Sequence, residues 1–149
     1  MITRLRSLSA REWRWLVGAA LALPMAGIVL RVRGLSRTLA LSERLISASG
    51  GSAGRVSVDP PGEANDLARC VRLAATYGPY RATCLPRAVV LRALLRRRGF
   101  DAYLRIGVRR PGEKLDAHAW VEVAGRALDV DAASATVFAP LYGSGVRQI

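Results

Sequence analysis

The stretch from Cys84 to Asp131, CLPRAVVLRALLRRRGFDAYLRIGVRRPGEKLDAHAWVEVAGRALDVD, decides the fold, because its hydrophobic period changes part-way along. From Thr83 to Arg98, Val89, Val90, Ala93, Leu94 and Leu95 recur at helical spacing and predict a helix. Pro86 suits the first turn of that helix, where its missing N–H is not needed. Gly99 is a natural stop, and Arg96 to Arg98 complement the negative helix end. Beyond Gly99 the period falls to two. Ala102 to Val108 reads as a strand, Pro111-Gly112 as a turn, and Ala117 to Val123 as a second strand. Ala124-Gly125 is a two-residue turn, and Arg126 to Asp131 a third strand. A helix followed by an antiparallel meander is an α+β pattern.

Upstream, Glu63 to Thr76 predicts another helix, with Leu67, Val71 and Ala74 or Ala75 on one face and Gly78-Pro79 as its end. Ser47 to Gly62 reads as a linker: serines and glycines give it freedom, and Pro60 and Pro61 stop any helix. Met1 to about Ser47 reads as helical. Ser9 and Glu12 are spaced for a capping box, in which each side chain takes a backbone N–H of the other residue. Trp15 to Leu30 carries no charge, but at sixteen residues it is short for a bilayer span of about 17–25, and Pro24 should kink or break it. A buried helical hairpin is the favoured reading, ahead of a membrane-associated segment and a cleaved signal peptide. The expected organisation is a helical segment over 1–48, a linker over 49–62 and an α+β core over 63–149.

With 149 residues, 51% of them hydrophobic and 23% charged, the chain is neither disordered nor collagen-like. Its two cysteines exclude a disulfide-rich scaffold, and reduced thiols in a cytoplasm are the expectation. The net charge is +12, and Lys114 is the only lysine among 23 basic residues. The arginines are scattered, with short clusters at Arg96 to Arg98 and at Arg109-Arg110, and no basic run is interleaved with aromatics. A solvated basic face is therefore favoured over nucleic-acid binding. One histidine and two cysteines at unrelated positions make no metal-ligand set, and no cofactor is implied.

Cys84 opens its helix, where free N–H groups and the positive dipole end stabilise a thiolate and can hold an oxyanion. Cys70 lies inside a helical pattern and reads as a small core residue. His118, the only histidine, lies in the second strand. If Ala124-Gly125 forms a two-residue hairpin loop, Val123 faces Arg126, and counting back puts His118 opposite Asp131. Directly paired side chains share a face, and Asp129 is the diagonal neighbour. A carboxylate beside an imidazole fixes its tautomer and stabilises its charged form. Trp120 shares the His118 face by parity, with core packing its favoured role. On these grounds the structural and catalytic readings of Cys84 and His118 stand level.

The run Cys84 to Gly99, the strand Leu104 to Val108 and the strand Ala117-His118-Ala119-Trp120-Val121-Glu122-Val123 together resemble the core of the lasso peptide biosynthesis B2 proteins, across roughly residues 63 to 142. That resemblance implies a papain/transglutaminase-like cysteine protease core with N-terminal helices. It implies a cytoplasmic leader peptidase that clips the leader from a ribosomally made precursor, before a separate lasso cyclase closes the macrolactam. It carries the nucleophile to Cys84 and the base to His118. The family's aspartate falls at Val130 in this chain, so Asp131, or Asp129 after a slip or bulge, is the expected orienting residue. The implied partners are the precursor leader and a separate B1-type leader-recognition protein. Membrane contact is the less favoured expectation. A non-catalytic basic binding module and an amide or acyl transferase are the alternatives.

Overall fold

A computed structural model describes residues 9–48, 61–109, 116–128 and 139–143. Three helices, α1 (Ala10–Ala48), α2 (Pro61–Tyr77) and α3 (Cys84–Arg97), precede the strands β1 (Ala102–Arg109), β2 (Asp116–Val123), β3 (Arg126–Leu128) and β4 (Ala139–Gly143). The strands form one antiparallel sheet in the order β3-β2-β1-β4. This is the expected α+β arrangement, with one strand more than the sequence suggested.

Local chemistry sets most of the boundaries. Ser9 and Glu12 cap α1 reciprocally: the Ser9 N–H donates to Glu12 Oε2 at 2.7 Å, and the Glu12 N–H to Ser9 Oγ at 3.3 Å. Pro61 opens α2 where the sequence reading had it stop a helix, because the first helical position needs no N–H. At the end of α3 the Phe100 N–H reaches Leu95 O and the Gly99 N–H reaches Arg96 O, with Gly99 at φ 86°. That is a Schellman stop, and a left-handed φ favours glycine.

The interruption of α1 is not where the sequence put it. Backbone angles stay helical at Pro24, and the helix breaks at Gly34 (φ 72°, ψ 174°). The bond lost at Pro24 is offset by burial of Ala19, Leu23 and Gly27 around it, whereas only glycine adopts the Gly34 conformation cheaply. The chain doubles back there. Trp15 on the first limb lies under Arg98, and Glu43 on the second pairs with Arg92 and Arg96. A straight helix would hold Trp15 and Glu43 about 42 Å apart, too far to reach neighbouring positions of α3.

The core forms where α3, with α2 beside it, covers one face of the sheet and both limbs of α1 pack onto these two helices. Leu23, Leu67, Val71, Leu91 and Leu95 meet Ala102 and Leu104 of β1, Ala119 and Val121 of β2, and Leu128 of β3. The register Leu104↔Val121 and Ala102↔Val123 places these strand residues in one row. The expected burial of the N-terminal apolar run holds for one side only. Trp15, Ala19, Leu23 and Gly27 are buried, while Val17, Leu21, Met25 and Ile28 are exposed. β4 joins the far side of β1 through a bulge between Ile106 and Gly107 and carries Pro140.

Candidate active site

Cys84 is the first residue of α3, after an extended Thr83 (φ −70°, ψ 176°) whose side chain makes no capping bond. The Arg87 N–H takes Thr83 O at 3.4 Å, Pro86 has no N–H, and no preceding turn supplies acceptors for the N–H groups of Cys84 and Leu85. The first turn of the helix thus leaves two backbone donors next to Cys84 without an intrahelical acceptor. Cys84 is half-buried and packs against the edge of the core; Cys70 is fully buried, and neither is in a disulfide. Burial, more than the nearby Glu12 charge, pushes the Cys70 thiol above its ordinary value.

His118 stands near the start of β2, half-buried, with Gly107 of β1 directly across. Ala119 and Val121 point into the helical core, so His118, Trp120 and Glu122 form the alternate row, on the sheet's other face. Trp120 is buried, in keeping with the packing role favoured from sequence, but outside the helix-facing cluster. Its ring lies 6.3 Å from the imidazole with 16° between the planes. Its indole N–H donates to Glu122 Oε1 at 3.2 Å, and Arg105 Nε donates to Glu122 Oε2 at 2.7 Å. Arg105, Glu122 and Trp120 therefore make a hydrogen-bonded shelf beside His118. Sequence reasoning did not single out Arg105 or Glu122; Glu122 stands two residues from Trp120 on the same strand face, whereas the pairing of Arg105 with Trp120 depends on the β1–β2 register.

Cys84 opens a helix that packs against both β1 and β2, the strand that carries His118. β1 follows the C-terminal end of α3, and β2 begins beside the far end of β1, with Asp116 opposite Arg109. The alternation of β2 puts His118 in the row that faces away from the helices.

Ala124 (φ 50°) and Gly125 (φ 74°) both have positive φ, which makes the β2–β3 loop a two-residue type I′ turn. Val123 pairs with Arg126, Glu122 with Ala127 and Val121 with Leu128, as the sequence reading expected. Asp129 and Asp131 lie outside the described residues. No group of three or more His, Cys, Asp or Glu placed to hold a metal occurs among the described residues.

The sequence pattern of the transglutaminase-like superfamily matches residues 13–143. The chain belongs to the transglutaminase-like superfamily. Its members are typically cysteine-dependent enzymes, of the protease or acyltransferase type. The superfamily match begins within the first limb of α1 and ends with β4, so it takes in the helical hairpin as well as the Cys84 helix and the His118 strand. Neither the curated proteins nor the solved structures contain a match to the chain.

Proposed function

We propose that this transglutaminase-like chain is a cysteine peptidase that removes the leader from a ribosomally synthesised lasso peptide precursor. The observation that carries the reading is a cysteine that opens α3, with the only histidine of the chain on a strand that packs against that helix, in a member of a cysteine-enzyme superfamily. His118 takes the Cys84 proton, and the thiolate attacks the carbonyl carbon at the leader–core junction. The resulting oxyanion meets the N–H groups at the helix mouth. His118 then returns its proton to the departing amine, which frees the core's N-terminus and leaves the leader as a thioester. Water, losing a proton to His118, hydrolyses that thioester and releases the leader carboxylate. Asp131 orients the imidazole, with Asp129 as the alternative. The core is papain-like, and the reaction is cytoplasmic. A B1-type recognition protein presents the leader, and a lasso cyclase takes the product.

The test is incubation with a precursor and its recognition protein, followed by mass spectrometry. Cys84→Ala should abolish cleavage with the circular dichroism spectrum intact, and Cys70→Ala should retain most of it. Full activity in Cys84→Ala overturns the proposal. The superfamily's acyltransferase members motivate a parallel arm with an added primary amine. A leader amide in place of the free acid would assign acyl transfer to the same cysteine.

A further inference from the structure

The first limb of α1 is apolar on both sides, yet the domain covers only one. Trp13, Val17, Leu21, Met25, Ile28 and Val32 follow one another at helical spacing on the outer side, with Leu21, Met25 and Val32 at 70, 68 and 76% exposure. They make a straight ridge about 28 Å long. The most apolar window of this helix has a mean hydropathy of 1.9, enough in length and composition to cross a membrane, and only 22% of it is buried. Between Arg14 and Arg31 the helix has no charged side chain.

Cations stand at both ends of the ridge. Arg31 and Arg33 follow it. At the Trp13 end, Arg11, Arg14, Arg97 and Arg98 line a cavity with Glu63 as its one acid. Arg14 and Gly18 line both this cavity and an apolar trough that runs from Trp13 to Leu21, so the basic pocket and the ridge are continuous. Trp15 braces the pocket, with the guanidinium groups of Arg11 and Arg98 each 4.8 Å from its ring centroid. A long apolar ridge flanked by arginines matches the acyl and phosphate layers of an anionic bilayer. A protein partner would need hydrogen-bonding groups, about one per 100–200 Å² of interface, and the ridge supplies none between its arginines.

We propose that the first limb of α1 docks on an anionic lipid surface, its outer ridge sunk among the acyl chains and the Arg11, Arg14, Arg97 and Arg98 cluster on lipid phosphates. The limb lies on the bilayer and does not cross it. Its inner side is held by Trp15, Ala19 and Leu23 in the core, by Glu12 on Arg69, and by the close approach of Gly27 to the Tyr80 ring. The inference is independent of the proposed peptide chemistry.

Flotation of the purified full chain with extruded vesicles tests it. The chain should float with vesicles of mixed phosphatidylglycerol and phosphatidylcholine, and far less with phosphatidylcholine alone or in high salt. The triple variant Leu21→Gln, Met25→Gln, Ile28→Gln should lose more than about tenfold in vesicle affinity at an unchanged melting temperature. Arg14→Gln and Arg97→Gln should each cost about fivefold, and only with anionic lipid. Carbonate washing should release the protein. Failure of the intact chain to float with anionic vesicles overturns the proposal, as does equal flotation of the triple variant. Carbonate-resistant insertion would replace it with a spanning helix. A lipid-free dimer abolished by the triple variant, in a chain that ignores vesicles, would make the ridge a self-association surface instead.

Discussion

The two cysteines occupy opposite chemical situations. Cys70 has no exposed surface, and its Sγ lies 3.7 Å from the Glu12 carbonyl oxygen, which it faces as a weak donor. With its thiol pushed up by burial, thiolate is scarce there near neutral pH. Iodoacetamide should therefore modify Cys84 while the fold is intact and Cys70 only after denaturant is added, which peptide mapping will read. Glu12 makes a second prediction at this scale. The Ser9 backbone N–H, then its hydroxyl, and further on the Arg69 charge hold the Glu12 carboxyl below its ordinary value of 4.5. The folded state then binds this proton less tightly than the unfolded state does. The contribution is fully present above about pH 4.5 and is lost as pH falls through the lower folded value. Glu12→Gln should accordingly lose less stability between neutral and acid pH than the parent, measured as the shift in urea midpoint. The Ser9–Glu12 spacing made the cap legible in advance; the Arg69 partner, 57 residues away, had no local signature.

At the scale of elements, the turns carried most of what could be read. Ala124-Gly125 fixed the β2–β3 register because a two-residue loop permits only one pairing, and three observed pairs follow it. Ala124 still sits at φ 50°, where an L residue with a Cβ is strained, so Ala124→Asn should stabilise the hairpin by about 1 kcal/mol in chemical denaturation. Gly99→Ala should destabilise by about 1–2 kcal/mol for the same reason, acting on the α3 stop. The observed pairs end at Leu128, and the expectation that Asp131 faces His118 rests on the same two-residue turn. Asp131→Asn should then cost on the order of 10⁴ in turnover and Asp129→Asn much less. The reverse order would mean a bulge in that strand. β4 escaped the sequence reading because five residues containing Pro140 resemble a loop until β1 supplies the partner. Gly34 escaped it because a single glycine inside an apolar period reads as a tolerated interruption, while Pro24 drew the expected break to itself.

At the scale of the molecule, the α1 hairpin grips the C-terminal half of the helix whose other end presents Cys84. Its first limb sets Trp15 under Arg98, and its second sets Glu43 within 2.5 Å of Arg92 Nη2 and 3.4 Å of Arg96 Nε. The sequence could not show this grip, because it depends on a reversal at Gly34 and on charges some fifty residues apart. The Arg92 side chain is only 8% exposed, and its Nε and Nη1 have no hydrogen-bond partner among the described residues. Glu43 is therefore the main compensation for a charge held out of water. Removing one member of such a pair strands the other, which is more costly than removing both. Glu43 is itself 38% exposed, so water takes over part of its role. Glu43→Gln should then destabilise the fold by about 1–3 kcal/mol, less than the full cost of breaking a buried pair. Arg92→Met, which replaces the stranded charge with an apolar side chain of similar reach, should restore most of that loss in the Glu43→Gln background. Urea denaturation of the two single variants and the double variant closes the cycle. A neutral Glu43→Gln, or a double variant no more stable than Glu43→Gln alone, would show that apolar packing and not this pair holds the second limb on α3.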